Sequence, residues 1–310
     1  MPLCLLAAAP WLACRSTPGR ADGAGADAGR AAGTRIVLLG SGTPRADPDR
    51  SGPALAVVIG GRAYLFDAGA GIVRRAGAAF RAGWKELAPA RLDLVFFTHL
   101  HSDHTLGYPD LMLSPWVLGR EAPLEAYGPP GLQAMTDRLL AAWAEDIRVR
   151  IEGAEKNEPA GIRINVHEVL PGPVYRDGNV SITAFAVPHG SWPHSYGYRI
   201  EAADRTIVLS GDTGPTDVVA RACDGCDILV HEVRAVAGFD ALPADWQAYH
   251  ASFHTSTAEL ARVAQQAHPG LLLLVHPLVW KDRGHEEQLV DEVRRGWSGR
   301  VVLGEDLQDY

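Results

Sequence analysis

Short runs of apolar residues alternate with glycine-rich turns from about Thr34 onward, which is the pattern of buried β-strands. The clearest runs are RIVLLG, ALAVVIGG, LDLVFF, VSITAFAV, RTIVLS, CDILV and LLLLV. Helical periodicity separates them over about Ile72 to Leu87, in GLQAMTDRLLAAWAED and in TSTAELARVAQQAH, where Thr and Ser stand at the start as caps. This alternation predicts a layered α/β domain over residues 34–310.

The first 33 residues have a different pattern. Residues 1–14, MPLCLLAAAPWLAC, form an apolar segment too short to span a bilayer, and they resemble the hydrophobic part of a secretion signal, although no Lys or Arg precedes it. The end of this leader resembles a lipoprotein processing site and makes Cys14 a candidate for a lipid anchor, although Trp11 stands where Leu is usual. Residues 15–33 are rich in Ala and Gly and predict a flexible linker. We therefore expect export to the periplasm or cell envelope; the alternative is a leader without a role.

Composition and charge narrow the choice of partners. The chain has 310 residues, 47% of them apolar, and a formal net charge of −8, which is typical of a soluble globular domain and argues against a broad basic surface for nucleic acid. Outside the leader the only cysteines are Cys223 and Cys226, a single CxxC pair. One pair lacks the second half of a zinc ribbon, so we expect either two thiols or a local disulfide.

The candidate chemistry lies where the apolar runs end. His99, His101, Asp103 and His104 form the pattern HxHxDH directly after LDLVFF. Three further runs end in potential metal ligands, namely His189, Asp212 and His276. In a loop after a strand, alternate residues face one side and the adjacent Asp-His pair another, so this one turn can supply two neighbouring metal ions. A solvated polar loop does not explain three imidazoles at this spacing.

The order of these motifs resembles the metallo-β-lactamase superfamily, whose fold is a four-layer αββα sandwich with a two-metal site at the sheet edges. Four further segments are similar to the ribonuclease Z-like branch of that superfamily: LLGSGTPRADPDRSG, PLEAYGPPGL, LVHEV and FHTSTAELARVAQQA. The resemblance covers essentially the whole chain after Thr34.

The resemblance implies a role for each matching residue. It implies that one metal ion is bound by His99, His101 and His189 and the other by Asp103, His104 and His276. Asp212 would bridge the two ions. It also implies catalytic roles for His254, for Glu232 and for the metal ligand Asp103, with Glu232 holding His254 in one tautomer. The alternative is that Glu232 supports a metal-bound histidine and that His254 caps a helix.

The expected activity follows from this ligand set. We expect two Zn²⁺ ions, with Mn²⁺ or Fe²⁺ as other candidates, and a phosphodiesterase that uses a metal-bridging hydroxide. The alternatives are an arylsulfatase-like sulfate-ester hydrolase, then a lactone or β-lactam hydrolase, and last a metal-binding protein without catalysis.

The expected substrate is a small ester. Ribonuclease Z carries a long arm for transfer RNA after the third metal motif, and the segment from Tyr196 to Asp212 has no room for one. We therefore do not expect transfer RNA as the substrate, and a homodimer is compatible with the pattern. The loops near the ligands carry aromatic residues that could line a substrate pocket: Trp192, Tyr196, Trp246, Tyr249 and Trp280.

Overall fold

The computed structural model describes residues 33–280 and 286–310. The predicted leader, with Cys14, and nearly all of the predicted linker therefore lie outside the described residues. Residues Gly33–Tyr310 form one compact unit. No helix in the described ranges is long and apolar enough to cross a bilayer.

The first sheet contains six strands in chain order, with antiparallel pairing among the first three and parallel pairing from the third to the sixth. Its strands are β1 (Arg35–Gly40), β2 (Ala54–Ile59), β3 (Arg62–Phe66), β4 (Leu94–Phe96), β5 (Leu124–Gly128) and β6 (Ile164–Glu168).

The second sheet contains seven strands in reverse chain order, antiparallel from β7 to β10 and parallel from β10 to β13. They are β7 (Gly172–Arg176), β8 (Val180–Ala186), β9 (Tyr196–Ala202), β10 (Thr206–Leu209), β11 (Ile228–Arg234), β12 (Leu271–Leu278) and β13 (Val301–Leu303).

The described residues also form nine α-helices. They are α1 (Ile72–Arg81), α2 (Ser102–Thr105), α3 (Tyr108–Val117), α4 (Leu132–Ala142), α5 (Ala144–Glu152), α6 (Asp217–Cys223), α7 (Ala244–Phe253), α8 (Thr257–Ala267) and α9 (Glu287–Arg294). Helices α1, α3 and α4 share an apolar core with the first sheet, and α6, α8 and α9 share one with the second. A third core fills the space between the sheets. The predicted four-layer αββα sandwich is confirmed.

The position of strand β4 explains why its sequence is continuously apolar and does not alternate between apolar and polar residues. Leu94 and Phe96 point into the core between the sheets, while Val95 packs in the core under the helices of the first sheet. Both faces of the strand are buried, so each position needs an apolar side chain. The strand ends directly before the histidine motif and therefore places that motif at the edge of the sandwich.

Several predicted elements have other limits. The helix predicted from Ile72 to Leu87 ends at Arg81, because Gly83 adopts φ 103° and a short 3₁₀ turn follows. The periodic segment GLQAMTDRLLAAWAED forms α4 and, after a break at Trp143, the first residues of α5, which continues to Glu152. Helix α8 begins as predicted, since Ser256 and Glu259 form a reciprocal capping box.

Candidate metal centre

The HxHxDH motif lies on a turn that leads from β4 into the short helix α2. His101 is the residue before α2, and Asp103 and His104 lie on the helix itself. This turn packs closely against the loop after β3: a Cβ atom on Gly69 would come within 2.7 Å of the Asp103 carbonyl oxygen. The turn can sit this deep only because a glycine faces it.

One group of predicted ligands is formed by His99, His101 and His189. The Nδ1 atom of His101 lies 2.9 Å from Nε2 of His99 and 3.0 Å from Nε2 of His189. On the outer side, Nδ1 of His189 donates to the Phe253 carbonyl at 2.9 Å. That bond leaves Nε2 of His189 without a hydrogen and directed at the centre of the group.

A hydroxyl orients His99 in the same way. The Thr98 hydroxyl donates to Asp67 and therefore accepts from Nδ1 of His99, 2.9 Å away. Nε2 of His99 is then an unprotonated nitrogen on the inner side. Three ring nitrogens thus converge with ligand atoms within 4.8 Å of one another.

The second group is formed by Asp103, His104 and His276. Nε2 of His276 lies 3.2 Å from Asp103, and Nε2 of His104 lies 3.5 Å from the same carboxylate. His276 reaches this position because the register of β12 shifts by one residue there, where its φ is 49°. Nε2 of His104 is buried and has no hydrogen-bond partner among the described residues.

Asp212 lies between the two groups. Its carboxylate is 3.4 Å from the Nε2 atoms of both His104 and His276, and it also belongs to a group with His99 and His104. This is the position that the sequence predicted for a bridging ligand. All seven predicted ligands are therefore brought together; we call them the metal-site cluster: His99, His101, Asp103, His104, His189, Asp212 and His276.

The ionisation of the cluster suits cation binding. Burial lowers the pKa of both His101 and His189 to about 4 and keeps that of His99 well below its usual value. Burial by itself would raise the pKa of Asp212, but His276 and His104 outweigh it and hold that pKa well below its usual value. The imidazoles of the first group are therefore neutral. In the second group burial lowers the pKa of His104 and His276, but the carboxylate of Asp212 outweighs it and raises both pKa values, so a divalent ion bound there would displace protons. Imidazole nitrogens and carboxylate oxygens, with the buried Nε2 of His104 unpartnered among the described residues, fit divalent metal ions.

Asp67 is a site residue that the sequence analysis missed. Its carboxylate accepts from the Thr98 amide and lies 2.8 Å from Nδ1 of His104. It therefore orients ligands of both groups, because Thr98 in turn holds His99. The signal available in the sequence was its place at the end of an apolar run, FDAGAG, like the predicted ligands.

Glu232 and His254 form a buried pair beside the cluster. Oε2 of Glu232 lies 3.1 Å from Nδ1 of His254, and Oε1 accepts from the Thr255 amide at 2.7 Å. The side chain of His254 does not cap α8, because Ser256 does so. His254 is instead the residue that ends α7, where its backbone N–H donates to the His250 carbonyl at 3.0 Å. His231 is buried and bonds the Glu232 carbonyl instead, outside the cluster.

A cavity of about 740 Å³ opens beside the metal-site cluster. His101, Asp103, Asp212 and His276 form its inner end. Four aromatic residues line another part of the wall: Trp246, Tyr249, His250 and Trp280. The predicted pocket residues Trp246, Tyr249 and Trp280 thus line the cavity, although Trp246 and Tyr249 lie on α7 and not on a loop.

Two other predicted pocket residues lie elsewhere. Tyr196 begins β9 and is buried between the sheets, where its hydroxyl donates to the Val169 carbonyl, so the prediction was wrong for it. Trp192 lies against the ring of His101, with 4.6 Å between ring centroids, and is not part of the cavity wall.

Among the described histidines without a motif, His250 is the one that lines the cavity. Within the described residues, His167 bonds Glu125 and His268 is exposed at the end of α8, while His194 does not line the cavity. His285 lies outside the described residues. Cys223 and Cys226 form a local disulfide, which decides between the two alternatives for this pair.

The chain is similar in sequence to known proteins. Residues 62–277 match the beta-lactamase superfamily domain. Ribonuclease Z of Mycobacterium bovis (strain BCG / Pasteur 1173P2) is 35% identical over 276 residues, which cover 88% of this chain and 96% of that protein. Ribonuclease Z of Mycobacterium tuberculosis (strain H37Rv) is 34% identical over the same shares of both chains.

Solved structures give the same fold. The metallo-beta-lactamase fold protein YhfI from Bacillus subtilis superposes with a TM-score of 0.68 at 18% identity, covering 90% of this chain and 99% of that one. The short form of human tRNase Z has a TM-score of 0.63 at 22% identity, with coverage of 89% and 98%. At these identities the likeness shows the fold alone.

Proposed function

The chain belongs to the ribonuclease Z family within the beta-lactamase superfamily, a family of metal-dependent hydrolases of phosphodiester bonds, and from this premise we propose that it is a two-zinc phosphodiesterase for small substrates. The observation that carries the proposal is the cavity of about 740 Å³ with the metal-site cluster at its inner end. Its size lies within the range of about 300–1,000 Å³ found for small-molecule sites.

Zinc is the metal that the donor set favours. The two groups offer His99, His101 and His189 on one side and Asp103, His104 and His276 on the other, with Asp212 available to both. Imidazole nitrogen and carboxylate oxygen are common zinc ligands, and such open sites leave room for a substrate atom. Bound divalent ions would polarise the phosphoryl group and lower the pKa of a water molecule toward neutrality.

The chain itself supplies the proton for the leaving oxygen. Burial, helped by the negative charge of Asp212, raises the pKa of Glu232, while burial lowers the pKa of His254 to about 4. Both directions favour one proton shared between Oε2 of Glu232 and Nδ1 of His254. With that proton in place, Nε2 of His254 can carry a second hydrogen and donate it to the leaving alkoxide, after which His254 is neutral and Glu232 still bonds Nδ1.

The surroundings of the site support a small substrate over transfer RNA. Strands β9 and β10 are joined by residues 203–205 alone, so the chain between Tyr196 and Asp212 is a tight hairpin. The net charge of −8 disfavours the extended phosphate contacts that supply most of the affinity for a polynucleotide.

The test compares substrate sizes. Zinc-loaded protein is assayed with bis(p-nitrophenyl) phosphate and with precursor transfer RNA at several salt concentrations. We expect turnover of the small diester with weak salt dependence and negligible cleavage of the transfer RNA. Efficient transfer RNA cleavage with steep salt dependence would refute the size argument. Aryl sulfate, lactone and β-lactam substrates are assayed in parallel. A higher kcat/KM for one of these than for the phosphodiester would identify that ester class as the preferred substrate.

We also propose that the protein is exported to the periplasm or cell envelope. The apolar leader supports this, and so does the pairing of Cys223 with Cys226, because disulfides persist mainly in oxidising compartments. Fractionation of cells that express the full chain, with a Cys14→Ser variant and labelled fatty acid, tests both export and lipidation. A full-length protein recovered only from the cytosol contradicts the proposal.

A further inference from the structure

Five rings form a row along one wall of the cavity, beginning inside the metal-site cluster. The ring centroids of His276 and His254 are 5.5 Å apart, and those of His254 and His250 are 5.9 Å apart. The ring of His250 then lies 5.6 Å from Trp246 and 4.7 Å from Trp280. We call this set the ring row: His276, His254, His250, Trp246 and Trp280.

Helix geometry explains the row. Trp246, His250 and, just past the end of α7, His254 follow one another at intervals of four residues, so they lie on the same side of the helix. Tyr249 also faces the cavity and stacks on Phe253, with ring centroids 4.3 Å apart. Phe253 in turn contacts His189, so the metal-site cluster and the aromatic side of α7 are packed together.

At the outer end of the row, Trp280 packs against the core under the helices of the second sheet, but core packing does not explain Trp246. Trp246 is 55% exposed and belongs to none of the three apolar cores within the described ranges. Trp280 is held in place by a hydrogen bond from its indole N–H to the Ala235 carbonyl at 2.9 Å. The indole of Trp280, which is held in one orientation, and the exposed indole of Trp246 thus border the same cavity. Such a pair of accessible aromatic rings is typical of a surface that binds a ligand.

We propose that the ring row is a subsite for a planar aromatic ring, such as a nucleobase, that a spacer such as a sugar joins to the phosphoryl group of the substrate. This proposal rests on the proposed function, which places the phosphoryl group at the metal-site cluster. A ring bonded directly to the ester oxygen would face His254. Two rings, those of His254 and His250, stand between the metal-site cluster and the two indoles, so a ring that stacks on the indoles needs a spacer. Stacking on aromatic side chains accepts every base, because each base has a π-face.

A matched pair of ligands isolates the contribution of the ring. Adenosine 5′-monophosphate and ribose 5-phosphate differ in the base alone, and calorimetry with zinc-loaded protein measures both without turnover. We expect the nucleotide to bind about tenfold more tightly, as one stacked base implies. Trp246→Ala should remove most of that difference, Trp246→Phe should keep most of it, and ribose 5-phosphate should bind each variant equally.

Trp143→Ala is the control, because Trp143 is also a partly exposed indole, 38% accessible, but lies between α4 and α5, outside the cavity. It should bind both ligands as the wild type does. Equal binding of the two ligands by the wild type overturns the proposal, and so does an equal loss of both in Trp246→Ala. Preferential nucleotide binding without phosphodiester hydrolysis would keep the subsite and refute the proposed activity, so the two failures are distinguishable.

Discussion

Asp67 holds His104 in place: its Oδ2 atom lies 2.8 Å from Nδ1 of the imidazole, and both side chains are buried. Because Nδ1 donates to the carboxylate, Nε2 of His104 is left to face Asp103 and Asp212. The same carboxylate accepts from the Thr98 hydroxyl, which orients His99. A single side chain outside the predicted ligand set thus fixes one histidine of each metal group.

Asp67→Asn should therefore weaken metal binding. Loss of a carboxylate that orients metal-bound histidines typically lowers metal affinity by about 10–100-fold. Titration with a competing chelator, followed by metal analysis, measures this. Asp291→Asn, which removes an exposed carboxylate on α9, is the control and should keep the wild-type affinity. Unchanged affinity in Asp67→Asn would show that the hydrogen bond does not support the site.

The metal-site cluster should hold close to two zinc ions per chain. His101→Ala should lose metal and activity together, because Nδ1 of His101 lies at the centre of the first group. Elemental analysis of wild type and variant after dialysis measures the content. A wild-type protein purified in the presence of zinc that carries no metal would contradict the ligand assignment.

His254→Ala should lower kcat by about 10²–10⁴-fold, the usual contribution of a positioned proton donor, while metal content stays nearly full. Glu232→Gln should shift the pH dependence of kcat, because the amide cannot share a proton with Nδ1 as the acid does. His268→Ala, at an exposed helix end, is the matched control. His254 also has a ligand atom near Asp212 and His276, so a loss of metal in His254→Ala would make it a ligand and not a proton donor.

Asp177 should stabilise the fold at neutral pH. Burial raises the pKa of Asp177, but hydrogen bonds from the Tyr64 hydroxyl and from the Asn179 and Val180 amides outweigh it and lower that pKa below its usual value. The stabilisation is therefore present above the unfolded pKa of about 3.9 and is lost as pH falls through the lower folded value.

Asp177→Asn should thus reduce the free energy of unfolding by about 1 kcal/mol at pH 7, a modest figure because water reaches part of the side chain. The deficit should shrink below about pH 4. Urea unfolding of wild type and variant at both pH values measures it. A deficit that is the same at both values would show that the carboxylate charge has no part in the effect.

The metal-binding chemistry of the site could be predicted from the sequence, because the metal ligands follow directly after apolar runs. Runs such as LDLVFF must be buried on both faces, which predicts parallel strands and places the following residues at one edge of a sheet. The HxHxDH spacing and the later His189, Asp212 and His276 then predict the members of the metal-site cluster. The family resemblance indicates which of these residues belong to each metal ion. The start of α8 could also be predicted from the sequence, because its capping box needs only two residues that are close in the chain, Ser256 and Glu259.

Tertiary structure decided what depends on contacts between distant segments. Strands β6 and β7 were not predicted, because their half-buried residues give a weak pattern and pairing with β5 and β8 forms them. Tyr196 and Trp246 are both aromatic residues near a ligand or near His254 in sequence, yet Tyr196 is buried between the sheets and Trp246 faces the cavity. Asp67 is 37 residues from His104 in the chain. The chain fixes which groups are available, and the packing of the two sheets fixes which of them meet.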